Sequence, residues 1–171
     1  APQIRRALRR TLDLTEDNKS LLQLGSGFRT KGLDRSIRAL ASLPKALLSQ
    51  TRLYVVGVGD RRPYARLAKR LGVFDRVVFL GPRDDVPAIL VSADLLVHPA
   101  YHENTGTVLL EALASGLPVV ASGVCGYAPY IEQAQAGWVL PEPFDQDRFD
   151  RTVRSALERD DLADFGRRGA E

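Results

Sequence analysis

Six times along this chain a short, uninterrupted apolar run stops at a small or turn-forming residue and gives way to a stretch with helical spacing. Residues 20–26 lead into 33–43, where Ile37, Leu40 and Leu43 share one face. The unit recurs as 52–57 with 61–71, 76–80 with 86–93, 95–99 with 107–115, and 118–122 with 127–134; the run 137–140 then precedes 145–159. Runs such as Leu53-Tyr54-Val55-Val56 and Val77-Val78-Phe79-Leu80 do not alternate with polar residues, so both faces of their strands must be covered. Strand joined to strand through a helix is a parallel crossover, and repeated crossovers build a doubly wound sheet. The expected fold is therefore α/β: a mostly parallel six-stranded sheet with helices on both faces.

A length of 171 residues suits one domain of ordinary size. With 44% hydrophobic and 26% charged residues, and 14 Gly and 10 Pro spread along the chain, disordered and fibrous classes are excluded. The most apolar region is broken by Asp94, His98, Glu103 and Glu111, so no stretch approaches the roughly 18 to 20 residues of a membrane span. One cysteine, Cys125, allows no internal disulfide, and no apolar leader opens the chain. A cytoplasmic location is the expectation, and Cys125 reads as a small packed residue. The chain starts Ala-Pro-Gln and contains no methionine, which suggests a fragment or a processed chain.

Charge is concentrated at the start. Arg5, Arg6, Arg9 and Arg10 outweigh the net +3 of the whole chain, so the remainder is slightly acidic and no nucleic-acid partner is expected. Ile4, Leu8 and Leu12 fall at helical spacing among these arginines. Residues 1–18 thus read as a solvated amphipathic linker helix ahead of a domain spanning 19–171, with an acidic membrane surface as the other reading.

In doubly wound sheets, ligands sit at the carboxyl ends of strands near the point where the winding reverses. The loops to inspect begin at Gly25, Gly57, Gly81, Pro99 and Ser122. Gly25-Ser26-Gly27 and Gly57-Val58-Gly59 only begin a dinucleotide fingerprint, because Thr30 and Arg62 stand where its third glycine belongs. An NAD-binding oxidoreductase, with Asp60 on the ribose, is thereby disfavoured; a non-catalytic nucleotide-binding module is the other alternative. Lys31 and Arg29 stand at the start of the first crossover helix, against its dipole, which either an anionic ligand or simple solvation explains.

The segment from Tyr101 to Glu111 is the most informative. Glu103 falls in a loop, whereas Glu111 falls inside a helix between Leu109, Leu110, Ala112 and Leu113. A carboxylate in that setting needs hydrogen-bond donors, such as paired ribose hydroxyls, unless it reaches the helix surface. Gly106 permits close approach to the backbone, and the amides around Thr105 to Val108 suit developing negative charge. His98 and His102 lack a third ligand at metal spacing, so no metal site is expected. Arg83, in Gly81-Pro82-Arg83-Asp84-Asp85, reads either as loop surface or as a base contact.

Glu103 and Glu111 form an E-x7-E motif, and with Ala93-Asp94, Gly116-Leu117-Pro118-Val119-Val120 and Gly137 the chain from about Leu21 to Leu157 resembles the retaining family 4 glycosyltransferases of GT-B fold. Through His98-Pro99-Ala100-Tyr101, Val124-Cys125-Gly126-Tyr127-Ala128 and Lys31-Gly32-Leu33-Asp34-Arg35-Ser36-Ile37 it is most similar to the branch that adds glucose to an inner-core heptose of lipopolysaccharide. The resemblance implies the Rossmann-like, donor-binding half of a two-domain enzyme, with UDP-glucose as substrate and no metal required. It further implies catalytic roles for Glu103 and Lys31, with Lys31, Arg29 and Thr107 at the donor pyrophosphate. Glu111 would take the ribose, Glu103, Asn104, Thr105 and Gly106 the donor sugar, and Arg83 the uracil. The lipopolysaccharide core acceptor would bind through the other domain, with a peripheral contact at the cytoplasmic face of the inner membrane. The chain departs from the family's usual Arg-Lys-Gly with Thr30-Lys31-Gly32, leaving Arg29 one step early.

Overall fold

A computed structural model describes residues 2–171. Six strands, β1 (Lys19–Leu24), β2 (Thr51–Val56), β3 (Val77–Gly81), β4 (Leu95–His98), β5 (Val119–Ser122) and β6 (Gly137–Leu140), form one sheet in the order β3-β2-β1-β4-β5-β6. Every pairing is parallel. The winding runs outward from β1 to β3, then returns to start again at β4 on the other side of β1. The C-terminal ends of β1 and β4 are thus neighbours, and their loops face each other.

The uninterrupted apolar strands have the expected cause. Side chains alternate across a strand, so Leu21, Leu53 and Val120 enter one core while Leu22, Tyr54 and Val119 enter the other. The first core is roofed by α2 (Leu33–Ala41), α4 (Arg62–Arg70) and α8 (Gln146–Leu157), through Ile37, Leu40, Leu67, Phe149 and Val153. The second lies under α5 (Val86–Ser92), α6 (Thr107–Ala114) and α7 (Ala128–Gln133), through Ile89, Leu90, Leu109 and Ile131.

Three helices differ from expectation. The short α3 (Lys45–Leu48) has too few residues to show a period. The C-terminal α9 (Leu162–Ala170) contains Gly166 and Gly169, poor helix formers that hide it in the sequence. Those glycines permit its docking: a Cβ on Gly166 would lie 2.0 Å from the Gly116 carbonyl oxygen, and one on Gly169 would lie 2.6 Å from Leu113 Cδ2.

The third is α1 (Pro2–Thr11), mostly exposed as a solvated amphipathic helix would be, but anchored along one face. It packs on α5, and only 3% of Arg9 is exposed. Arg5 and Arg9, four residues apart and so on one face, turn inward onto Asp94, with Arg5 Nη2 2.6 Å from Oδ1 and Arg9 Nη1 3.2 Å from Oδ2. Arg9 also donates to the carbonyls of Thr15, Asn18 and Ser92. Arg6 and Arg10 remain exposed. A run of arginines looks uniform in sequence; here the half facing α5 is structural.

Candidate active site

Strand order brings the β1 and β4 loops together, and small residues let them touch. Gly32 precedes α2 with φ +75°, and a Cβ there would lie 2.0 Å from the Pro99 carbonyl oxygen. Tyr101 N–H donates to the Thr30 carbonyl at 2.8 Å. Arg35 reaches across to the carbonyls of Pro99 and Ala100 at 3.1 and 3.3 Å, its guanidinium stacked between Tyr101 and Phe144 with centroids 3.5 and 3.7 Å away.

Lys31 and Glu103 meet in this seam, although 72 positions separate them. Lys31 Nζ donates to Glu103 Oε2, and buried His98, the last residue of β4, places Nε2 3.2 Å from the same oxygen. The Lys31 backbone is fixed from below by Gln23, fully buried in β1, whose Nε2 donates to the Lys31 carbonyl at 2.9 Å while its Oε1 accepts from Ser36 Oγ. Burial by itself raises the Glu103 carboxyl, but the hydrogen bond and charge of Lys31, aided by His98, outweigh it and hold the group below its ordinary pKa. Burial shifts His98 the other way, keeping its imidazole below the usual value against the pull of Glu103.

Gly106, at φ +78°, ends the loop and opens α6. A Cβ there would lie 3.3 Å from Glu103 Cγ and 3.4 Å from Cys125 Cβ. Buried Cys125 fills space behind the loop as expected, and burial pushes its thiol up to about 11. Asn104 and Thr105 are exposed, and the β5 loop supports them, with Tyr127 N–H donating to the Thr105 carbonyl at 2.8 Å.

For Glu111 the second of the two readings holds. It is exposed rather than enclosed by apolar neighbours. At 100° per residue, Leu109, Ala112 and Leu113 form the buried face of α6, whereas Glu111 points almost opposite, in line with Thr107 one turn earlier. The two acids therefore differ: Glu103 is held by partners inside the seam, and Glu111 stands free on the exposed side of the helix that begins there.

Not every anticipated residue joins them. Arg29 is exposed and lines a cleft of 380 Å³ with Thr30, Asp34, Tyr64, Tyr101 and His102. Arg83 follows β3, the edge strand, and is engaged with Asp85 at 2.7–2.8 Å. Asp60 is exposed and bonded through both oxygens by Arg62, which holds its carboxyl at about 2. Among the described residues no three His, Cys, Asp or Glu side chains gather to hold a metal. Sequence reasoning missed His98 as the partner of Glu103, and Gln23, although a lone glutamine in Leu21-Leu22-Gln23-Leu24 was a signal for it.

Residues 4–171 match the profile of the family described as glycosyl transferases group 1. Over 161 residues the chain is 47% identical to the lipopolysaccharide glucosyltransferase WaaG of Escherichia coli K12, covering 94% of this chain and 43% of that protein. It is 37% identical over 171 residues to a D-inositol 3-phosphate glycosyltransferase of Salinispora tropica, covering 94% and 34%. The crystal structure of WaaG, a glycosyltransferase involved in lipopolysaccharide biosynthesis, superposes with a TM-score of 0.97 at 44% identity, covering 99% of this chain and 46% of that one. Anabaena HepE in complex with UDP and glucose superposes at 0.86 and 25% identity, covering 99% and 47%. The chain thus spans less than half the length of these relatives.

Proposed function

Because this chain belongs to the group 1 glycosyltransferases, we propose that it is the donor-binding half of a retaining enzyme that uses UDP-glucose to glucosylate an inner-core heptose of lipopolysaccharide. The observation that carries the proposal is the Lys31–Glu103 pair, set where the winding reverses and beside the helix turn opened by Gly106.

The diphosphate lies against the first turn of α6, where free amides and the Thr107 hydroxyl donate to it and the helix dipole favours its charge. Lys31 supplies the fixed cation, joined by Arg29 from the neighbouring cleft. Glu111, one turn along the same face as Thr107, accepts the two ribose hydroxyls. Glu103, with Asn104, Thr105 and the Gly106 backbone, meets the glucose, and Arg83 reaches the uracil from the edge of the sheet. Charge developing on departing UDP is thus met by groups already in place, which is how such sites lower a barrier.

The heptose acceptor is bound by protein outside these residues, at the cytoplasmic face of the inner membrane, with the exposed Arg6 and Arg10 turned toward its acidic surface. No helix among the described residues is long and apolar enough to cross a membrane.

Two measurements test the donor reading. UDP-glucose and UDP are expected to bind in calorimetry with EDTA present, since Lys31, Arg29 and the α6 amides provide the positive field; binding that disappears in EDTA and returns with magnesium or manganese overturns the metal-free reading. Glu111→Ala is expected to weaken UDP by roughly 1.5 to 3 kcal/mol, the range for hydrogen bonds to a charged group. Glu103→Ala should instead reduce the advantage of UDP-glucose over UDP. A larger loss of UDP affinity in Glu103→Ala than in Glu111→Ala reverses the two assignments.

A further inference from the structure

Glu103 is held unevenly. Lys31 Nζ and His98 Nε2 both meet Oε2, and no hydrogen bond to Oε1 is made among the described residues. Lys31 is also the cation assigned to the donor diphosphate, and one ammonium cannot stay fully committed to a carboxylate while neutralising two phosphates. As it turns to the diphosphate, Glu103 loses its charged partner. A side chain with 12% of its area exposed, on a loop that must keep one oxygen ready for a sugar hydroxyl, then needs a second anchor.

Resting on the donor-binding reading above, we infer that His98 is a positioning residue: its Nε2–H holds Oε2 of Glu103 while Lys31 engages the diphosphate, so that Oε1 remains the oxygen offered to the sugar. The ring is suited to this. It sits at the end of β4, an interior strand paired with β1 and β5, and is fully buried, so it cannot swing away. Its Nδ1 is also buried and meets no partner among the described residues. A proton on Nδ1 would be a buried donor without an acceptor, whereas a proton on Nε2 is used by Glu103. The Nε2–H tautomer follows, and burial, by lowering the pKa of the ring, works against a second proton. An apolar side chain would fill the same space without stranding a nitrogen, so packing alone gives no reason for histidine here.

The test compares the 171-residue chain with its His98→Leu and His98→Gln variants, measuring calorimetric dissociation constants for UDP and for UDP-glucose. Leucine keeps the bulk and removes the donor; glutamine returns an N–H near the place of Nε2. His98→Leu is expected to cut the preference for UDP-glucose over UDP about tenfold, the scale of one lost hydrogen bond to a charged group. UDP affinity should stay within about twofold. His98→Gln is expected to recover most of the preference. Equal loss for both ligands, or glutamine no better than leucine, overturns the inference and makes His98 a packing residue. Nitrogen NMR of the histidine-labelled wild-type chain, which needs no variant to fold, should show His98 protonated on Nε2; the Nδ1–H tautomer in a chain that binds UDP-glucose overturns the inference alone. A wild-type chain that binds no UDP-glucose overturns the donor reading and, with it, this role for His98.

Discussion

Expressed by itself, the 171-residue chain is expected to bind UDP-glucose and yet transfer no glucose to core-truncated lipopolysaccharide at a rate near that of the Escherichia coli relative assayed beside it. In the proposed reading, Lys31 and Glu103 meet one side of the donor, with His98 buried behind Glu103. Transfer also requires an acceptor hydroxyl at near-attack distance from the anomeric carbon, and such positioning supplies about 7 to 11 kcal/mol of a barrier. A sugar bound as proposed at the C-terminal ends of these strands would face water, which screens developing charge and leaves the acceptor unordered. A deficit of more than about 10⁵-fold follows from the lower figure. If Lys31 and the α6 amides hold departing UDP as proposed, slow hydrolysis of UDP-glucose is the expected residual activity. Radiolabelled transfer by this chain at a rate close to the relative's would show that the described residues carry both halves of the chemistry.

The second large effect lies at the opposite end of the strands. Asp94→Ala is expected to destabilise the fold by roughly 3 to 5 kcal/mol, because it leaves a buried guanidinium without its counter-ion. Burial is what makes the loss large. A surface ion pair contributes about 0 to 1 kcal/mol, but Arg9 is only 3% exposed and Asp94 also accepts from Ser20 N–H at 2.8 Å and Ser20 Oγ at 3.2 Å. Asp94 thereby joins α1, β1 and the start of β4. For a domain of this size the melting temperature should fall by about 10 °C or more. Urea denaturation and amide exchange in α1 provide the measurement: a loss below about 1 kcal/mol, with α1 still protected, would mean that the Arg9 carbonyl contacts suffice. Glu111, exposed and unburdened by packing, serves as the contrasting acid, since Glu111→Ala should change donor affinity with little change in stability.

What could be read from the sequence was what short-range order controls. Alternation sent Leu21 and Leu22, or Val119 and Val120, to opposite cores, and helical spacing put Thr107 and Glu111 on one face of α6; both depend on the backbone period alone. The E-x7-E motif and Lys31 stood out because such residues are conspicuous next to apolar runs and glycines. Strand order lay beyond that reach, since nothing local makes β4 return to the side of β1. That return brings Lys31 to Glu103 across 72 positions and Arg9 to Asp94 across 85. It also buried Arg9 of the arginine-rich helix against the segment that leads into β4. Sequence by itself determined the elements and the faces they bury, because backbone period and side-chain solubility act over a few residues. The tertiary structure alone decided which polar groups far apart in the chain are partnered, because such a partner is supplied by whatever distant segment the packing of two apolar cores happens to bring within hydrogen-bond reach.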